Sequence, residues 1–244
     1  MARRMRPMRL TAGLVLITGV SPKSIGATTA INIARHSPGR LILASRSKSR
    51  MQQVAGEIAT ASPKLRVDIV ELDLASQTSV RRAATEIAAL TDYLDVLICN
   101  AGVVTSDRRE TAEGIELQFG ANHVGHFLLT TLVMPQLLAS PKSRVINLSS
   151  LGHRLSPVRF HDYNFTGKAI PPEEEPSAQL TSHLKPNVAA GRPYFSFTAY
   201  GQSKTANILH AVSLNERFGE RGLRAFAVHP GCKDSKMECQ QASC

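Results

Sequence analysis

Tyr200 and Lys204 stand four positions apart in the stretch "FTAYGQSKTA", residues 197–206, which has the pattern of an amphipathic helix. Residues four apart lie one turn apart on the same helical face, so a phenol and an ammonium can reach one point in space. Both groups carry ionisable protons, which makes the pair a candidate for acid–base chemistry. On a solvent-facing helix the same pair would instead be a surface contact, with the aliphatic stem of the lysine lying on the ring.

Six alternations of strand and helix surround this pair. Short apolar runs rich in β-branched residues predict strands at 13–19, 40–45, 66–74, 94–102, 143–150 and 223–231. Helical spacing predicts helices between the strands, among them 25–36 and a helix from about residue 200 to residue 218. Strands that are apolar on both faces predict an α/β fold with a doubly wound parallel sheet and right-handed crossovers. We find no linker that divides the chain, so we expect one domain over residues 1–244.

The segment 153–196 interrupts the alternation with prolines, a run of three glutamates and scattered aromatic residues. We expect a long loop that lies over the ligand-binding face, because it follows the carboxyl end of a strand. Two interpretations of this loop stay open, a lid whose aromatic side chains line a substrate pocket and a solvated, partly disordered insertion. The aromatic residues concerned are Phe160, Tyr163, Phe165 and Tyr194.

The composition is that of a globular protein, with 43% hydrophobic and 20% charged residues. No apolar run approaches the roughly 20 residues of a membrane span, and "MARRMRPMRL" lacks the apolar centre of a secretory signal. We therefore expect a cytoplasmic protein without a membrane span. The same arginine-rich, acid-free opening is also the chemistry of a transit peptide, an alternative weakened by the strand that follows almost at once.

The net charge of +10 suits a polyanion or a phosphorylated cofactor. Because the basic residues are scattered and not interleaved with aromatic ones, nucleic acid is the less favoured partner. The four cysteines have no CxxC spacing and indicate neither a disulfide framework nor a zinc site. His123 and His126 lie three apart on one predicted helix, but no third ligand accompanies them, so we expect no metal.

The turn after the first strand, "TGVSPKSIG", places Gly19 at the strand end and Gly26 in the opening of a helix. Free backbone N–H groups and the helix dipole favour a phosphate there, although such turns also occur without ligands. Arg46 lies 20 residues beyond Gly26, just past the second strand, and no acidic residue occurs between Gly26 and Glu57. An NAD site favours an acid near this position, whereas arginine suits a 2′-phosphate, so we predict NADP(H) if a dinucleotide binds. A solvated basic turn is the alternative.

Over residues 12–231 the chain resembles the short-chain dehydrogenase/reductase family. The resemblance rests on several motifs in family order: Thr18-Gly19 with Ile25-Gly26, Asp73 after the third strand, Asn100-Ala101-Gly102, Asn122 in "FGANHVGHF", Ser150, Tyr200-x-x-x-Lys204 and Pro230-Gly231. The sequences "SSLGHR" and "AYGQSKTANIL" are most similar to those of the retinol-dehydrogenase-like branch, whose fungal members include tailoring enzymes of specialised metabolism. The family implies a Rossmann-type sheet with strand order 3-2-1-4-5-6 followed by a seventh strand.

The resemblance also implies the roles of the site residues. Tyr200 would exchange a proton with the substrate oxygen, Ser150 would hydrogen-bond that oxygen, Lys204 would hold the nicotinamide ribose and tune the tyrosine, and Asn122 would support a water relay. An ammonium ~5 Å from a phenol, at an effective dielectric of ~20, supplies roughly 3 kcal/mol, which brings a phenol pKa of ~10 close to neutral. The implied cofactor-binding residues are Gly19, Ser24, Ile25, Gly26, Arg46, Asp73, Asn100, Gly102, Tyr200, Lys204 and Pro230.

Three departures from the family pattern bear on function. The glycine turn is one residue longer than usual, with Ser24 in place of the middle glycine, as in the enoyl reductases. Those enzymes place six residues between tyrosine and lysine, and Asn207 stands at that position here, so enoyl reduction is disfavoured. Ser150 and Tyr200 are 50 positions apart, which makes their geometry depend on how the loop folds back.

The third departure is the tail 232–244, "CKDSKMECQQASC", which stands where the family continues through a lid and a seventh strand. We expect the strand 223–231 to be an exposed sheet edge and the chain to have weak stability or lost activity.

Two functional hypotheses follow. The first is an NADP(H)-dependent oxidoreductase that interconverts a carbonyl and an alcohol on an apolar small molecule. The second is a catalytically weak relative that binds cofactor only or dimerises through the helices at 113–138 and 200–218.

Overall fold

The computed structural model describes residues 13–182, 187–189 and 192–231. Six parallel strands form its main sheet in the order β3-β2-β1-β4-β5-β8. This is the predicted order 3-2-1-4-5-6, because β8 is the sixth strand of this sheet; two short strands outside the sheet precede it in the chain. The strands are β1 Leu14–Thr18, β2 Arg40–Ser45, β3 Arg66–Glu71, β4 Val96–Cys99, β5 Arg144–Leu148 and β8 Arg224–Val228. The extra strands, β6 Asn187–Ala189 and β7 Arg192–Tyr194, pair with each other in an antiparallel hairpin. The doubly wound class predicted from the apolar runs is confirmed.

Alternate residues of the central strands pack against helices on opposite faces of the sheet. Along β1, Leu14 and Leu16 point to one face, whereas Val15 and Ile17 point to the other. Helices α1 Ile25–Ala34 and α2 Lys48–Ala61 cover the Val15 face. The Leu16 face is covered by α3 Gln77–Leu90, by α5 Gly125–Leu132 with α6 Met134–Ala139, and by α8 Ser196–Phe218. Burial on both faces explains why these strands are continuous apolar runs.

Serine side chains begin the first three helices. Ser24, Ser47 and Ser76 each accept a hydrogen bond from the backbone N–H three residues on, the arrangement of an N-cap. Each of these caps follows the carboxyl end of a strand, so the helix N-termini gather at one edge of the sheet. That edge is where open α/β sheets bind their ligands.

The helical segment after β4 is not one regular helix. It begins with α4 Leu117–Phe119, widens into a π-helical turn at Gly120–Val124 and continues as α5. Wide turns of this kind are often found at functional sites, and this one contains Asn122. Helix α8 begins at Ser196, one turn earlier than the residue 200 predicted from spacing, so Tyr200 and Lys204 lie inside an established helix.

The segment 153–196 contains more regular structure than a plain loop. A 3₁₀ turn at Leu151–Leu155, another at Pro172–Glu174, the short helix α7 Ala178–Thr181 and the β6–β7 hairpin are distributed along it. Asp162 is buried and accepts bonds from the N–H groups of Thr166 and Gly167 and from the Thr166 hydroxyl, which closes a tight turn. The Arg159 guanidinium lies 3.1 Å from the same carboxylate and 4.6 Å from the centre of the Phe165 ring.

Strand β8 lies at an edge of the described part of the sheet, as expected, and pairs with β5. Phe226 and Val228 on β8 are 48% and 40% exposed. Within the described ranges, no helix is long and apolar enough to cross a membrane. The expectations about the arginine-rich start (1–10) and the tail 232–244, including Cys232, Cys239 and Cys244, concern residues outside the described ranges.

Candidate active site

A cleft of about 500 Å³ opens at the carboxyl ends of β1, β2, β4 and β5. That volume is within the range of small-molecule and cofactor sites. Ten of the residues predicted for the site line the cleft: Gly19, Ser24, Ile25, Arg46, Asp73, Asn100, Gly102, Tyr200, Lys204 and Pro230. The other three, Gly26, Asn122 and Ser150, do not. The strand order and the crossovers thus bring side chains together from almost the whole length of the chain.

The glycine turn after β1 has no room for side chains. Gly19 has a φ of +72°, and a Cβ there would lie 2.6 Å from the Cα of Ala101. At Gly26 a Cβ would lie 2.6 Å from both the Gly19 carbonyl oxygen and the Asn100 amide nitrogen. Ser24 accepts bonds from the N–H groups of Ser21 and Ala27, which closes the longer turn without a third glycine. The turn therefore leaves the N-terminus of α1 open to the cleft, a geometry suited to phosphate.

The turn after β4 is fixed to β1 through Thr18. The Thr18 hydroxyl accepts the N–H groups of Asn100 and Ala101, each at 3.0 Å, and the Asn100 side chain donates to the Thr18 carbonyl oxygen at 2.8 Å. The Thr18 hydroxyl also meets the His126 Nε2 at 2.8 Å, while the His126 Nδ1 lies 3.0 Å from the Asn122 carbonyl oxygen. Since a carbonyl only accepts, Nδ1 carries the proton and Nε2 accepts from Thr18.

His126 is therefore a buried hydrogen-bonding residue and not a metal ligand. Burial lowers the pKa of His126 to about 3, so it stays neutral at physiological pH. Among the described residues, no group of histidine, cysteine and acidic side chains could hold a metal ion.

Arg46 is exposed at the rim of the cleft, just past the end of β2. No described carboxylate lies within ion-pair distance of its guanidinium. Asp73 lines the cleft farther along and accepts a bond from the Ala75 N–H at 3.0 Å. An unneutralised guanidinium at this rim suits an anionic group of a ligand.

Lys204 is 4% exposed and reaches the cleft from α8. Its Nζ donates to the Leu148 carbonyl oxygen at 3.0 Å and lies 5.3 Å from the centre of the Tyr200 ring. Burial lowers the pKa of Lys204 to about 8. The structure thus rules out the solvent-facing surface pair and places the ammonium and the phenol side by side at the cleft.

Asn122 lies behind Gly102, fully buried in the π-helical turn. Its amide accepts the Val103 N–H at 2.7 Å and donates to the Val103 carbonyl oxygen at 3.0 Å and to the Ser203 hydroxyl at 3.1 Å. A Cβ at Gly102 would lie 3.4 Å from the Asn122 Oδ1 and 3.5 Å from the Lys204 Nζ. The absence of a side chain at Gly102 therefore leaves the space beside the ammonium open.

Ser150 and Tyr200 flank Gly152, although 50 positions separate them in the chain. A Cβ at Gly152 would lie 3.1 Å from two ring carbons of Tyr200 and 3.5 Å from the Ser150 Oγ. The Ser150 hydroxyl accepts the Gly152 N–H at 3.1 Å. With one lone pair engaged in this way, the hydroxyl can donate its own hydrogen to a ligand oxygen.

The aromatic residues of the segment 153–196 do not line the cleft. Phe165 and Tyr194 are buried and stack edge to face with ring centres 5.7 Å apart, in a small cluster of their own. Phe160 and Tyr163 are 69% and 43% exposed. Sequence reasoning also missed Ser149, which lines the cleft and whose hydroxyl donates to the Lys204 carbonyl oxygen.

The sequence is similar to those of known proteins. Residues 13–169 match the family model described as short chain dehydrogenase. An oxidoreductase of Fusarium equiseti, fscI, is 40% identical over 224 residues, which are 89% of this chain and 86% of that protein. Human retinol dehydrogenase 13 is 36% identical over 223 residues, and the match spans 91% of this chain but only 60% of that protein's length.

Solved structures show the same fold. The crystal structure of an uncharacterised protein from Mycobacterium paratuberculosis has a TM-score of 0.72 and 31% identity, covering 95% of this chain and 73% of that one. A metagenomic short-chain oxidoreductase solved in complex with NADP has a TM-score of 0.65 and 22% identity, covering 92% and 84%.

Proposed function

Since the chain belongs to the short-chain dehydrogenase family and is an oxidoreductase by that membership, we propose that it interconverts a carbonyl and an alcohol on an apolar small molecule with NADP(H). One observation carries the proposal: the buried Lys204 ammonium lies 5.3 Å from the Tyr200 ring at the cleft. An ammonium at this distance favours the phenolate form of tyrosine. Such a pair can give a proton to a substrate oxygen or take one from it near neutral pH.

The remaining polar groups complete the proposed reaction site. Ser150 donates a hydrogen bond to the substrate oxygen, Tyr200 exchanges the proton, and Lys204 stabilises the phenolate and binds the cofactor ribose. Asn122 fixes the backbone of Val103 opposite them and supports a water relay to Lys204. The bound cofactor supplies or accepts the hydride.

Arg46 is the reason for proposing NADP(H) and not NAD(H). Its guanidinium is at the cleft rim and has no acidic partner among the described residues. The residues between Gly26 and Arg46 include no acid that would repel a 2′-phosphate. The glycine turn accepts the pyrophosphate, and Asp73, Asn100 and Pro230 line the rest of the cofactor cleft.

We also propose a homodimer formed through α5 and α8. Phe127 on α5 and Leu209 and Val212 on α8 are each about half exposed. The Phe127 ring centre lies 5.1 Å from that of His210, which joins the two helices into one apolar face.

We further propose that the protein is cytoplasmic. We also propose a tailoring role in specialised metabolism; the match to a Fusarium equiseti oxidoreductase supports the oxidoreductase part of that role.

The purified chain, incubated with NADPH and a panel of apolar ketones and aldehydes, tests the proposed function through absorbance at 340 nm. We expect turnover with NADPH, and a loss of at least ~100-fold in Tyr200→Phe, because the phenylalanine ring cannot transfer the proton. Tyr93→Phe, a change at an exposed tyrosine far from the cleft residues, is the matched control and should leave the rate unchanged. Equal rates for wild type and Tyr200→Phe would refute the assignment.

A further inference from the structure

Two donors on α8 share one backbone acceptor on β5. The Leu148 carbonyl oxygen accepts the Lys204 Nζ at 3.0 Å and the Asn207 Nδ2 at 3.1 Å. The two nitrogens therefore lie within about 6 Å of each other, on consecutive positions of the same helical face. A carbonyl that is shared by two donors binds each of them less strongly than it would bind one.

His123 fixes the orientation of the Asn207 amide. The His123 Nδ1 lies 3.2 Å from the Asn207 Oδ1, which can only accept, so Nδ1 carries the proton. Because the histidine holds the oxygen, the amide nitrogen must face Leu148. Asn207 is buried and His123 is partly buried, and the Asn207 backbone carbonyl oxygen is itself held by the Asn147 side chain at 3.2 Å. The amide thus has a single satisfied orientation.

We infer that Asn207, oriented by His123, is a positioning residue for Lys204. Its amide hydrogen occupies part of the Leu148 acceptor and presents a partial positive charge to the ammonium. Both effects weaken the hold of Leu148 on Lys204 and move the ammonium towards Tyr200 and the cleft. This inference rests on the proposed function, because the advantage of that shift is a more acidic Tyr200.

The titratable groups around Lys204 are few in the described part of the chain. Tyr200 lies beside it on α8, and the charge of Lys204 acts on His126 of α5. His123 bonds to Asn207, and the His210 ring lies 6.0 Å from that of His123. Burial lowers the pKa of all three histidines to about 4 or below, so none of them is charged at neutral pH. Above pH 6 the ionisable charge beside Tyr200 among the described residues is therefore Lys204, whose own pKa is about 8, so the two groups titrate as a coupled pair.

The test measures the Tyr200 titration directly. The chain has four tyrosines and no tryptophan, so absorbance at 295 nm follows phenolate formation, and subtraction of the Tyr200→Phe curve isolates Tyr200. In Asn207→Ala we expect its titration to move up by about 0.4 pH unit in the range where Lys204 is protonated. Coulomb's law gives a shift of that size for a ~1 Å retreat of the ammonium at an effective dielectric of ~20. The alkaline shift should recur in the pH profile of the rate.

Asn215 supplies the matched control. It lies on α8 about 16 Å beyond Lys204 and bonds to both backbone groups of Ala225, at 2.8 and 3.0 Å. Asn215→Ala removes equivalent backbone bonds and should lower stability without moving the Tyr200 titration. His123→Phe should reproduce the shift of Asn207→Ala in smaller measure, and His123→Gln, which can still donate, should restore the wild-type value.

The outcomes separate this inference from the proposed function. An unshifted Tyr200 titration in both Asn207→Ala and His123→Phe, or an equal shift in Asn215→Ala, overturns the positioning role. If Asn207→Ala fails to fold, the two His123 variants decide the question alone. If the wild type turns over no carbonyl, the proposed function fails, but the absorbance titration still tests the positioning of Lys204.

Discussion

Replacing Lys204 with methionine should make the protein more stable and inactive at once. Methionine keeps most of the aliphatic volume and removes the buried charge. In the fold the lysine pKa is about 8, against its ordinary value of 10.5. That difference corresponds to about 3 kcal/mol of destabilisation, which is fully present below pH 8, where both folded and unfolded chains carry the proton. Leu148 keeps one donor in the variant, because Asn207 still binds it.

The pH dependence is the decisive part of this prediction. Between pH 8 and 10.5 the folded chain has released the lysine proton while the unfolded chain retains it, so wild-type stability rises with pH. The advantage of Lys204→Met should therefore be largest at pH 7, at about 1–3 kcal/mol, and shrink by pH 9.5. Urea unfolding followed by circular dichroism measures it, since the chain has no tryptophan.

Activity should change in the opposite direction. The ammonium lies 5.3 Å from the ring centre. At a charge separation of ~5 Å and an effective dielectric of ~20, an ammonium stabilises a phenolate by about 3 kcal/mol, which the substitution removes. The rate at neutral pH should fall by ~100-fold or more. Lys48→Met, at an exposed lysine that begins α2, should change neither quantity. A Lys204→Met variant less stable than wild type at pH 7, or a stability difference independent of pH, would refute this reasoning.

Three further substitutions test cofactor binding and the stability of the structure around the site. Gly26→Ala should abolish NADPH binding, because its Cβ would lie 2.6 Å from the Gly19 oxygen; equilibrium dialysis checks this, and retained affinity would contradict it. Tyr194→Phe should cost about 1–2 kcal/mol in urea unfolding, because the buried Glu116 loses the Tyr194 hydroxyl that donates to it at 2.7 Å. Arg46→Glu should weaken NADPH about 10- to 100-fold in a binding titration and leave NADH nearly unchanged.

The sheet could be predicted from the sequence because its strands are buried on both faces. The run Leu14–Thr18 is apolar throughout, and alternate residues contact helices on opposite sides, so no polar position interrupts the pattern. Strand order came from the family resemblance, since apolar runs alone do not say which strands are neighbours. The residues predicted for the site at the strand ends likewise came mainly from the family motifs.

Features that depend on long-range hydrogen bonds could not be predicted. The start of α8 at Ser196 is held by the Gln118 amide, which donates to the Ser196 carbonyl oxygen at 2.9 Å from 78 positions away. The π-helical turn coincides with the bonds between Asn122 and Val103. Spacing alone presented His126 as a metal candidate, because nothing in the local sequence shows that Thr18 is its partner.

The segment 153–196 was the hardest to predict. Its order comes from distant partners: Asn164 binds Gly114 and Glu116, about 50 positions away in the chain, and Tyr194 binds Glu116. These contacts draw Phe165 and Tyr194 inward, whereas composition alone left a pocket lining and a solvated loop equally open. Sequence patterns carry periodicity and caps, but they do not show which polar group a loop will meet.

Direct titration with NADPH tests whether the cleft binds this cofactor through Arg46. The fluorescence of NADPH, excited in its own absorption band, would be followed as wild-type chain or Arg46→Ala is added, with NADH as the control. We expect NADPH to bind at least ~10-fold more tightly than NADH, and this difference to be lost in Arg46→Ala. A folded wild-type chain that binds neither dinucleotide would contradict it.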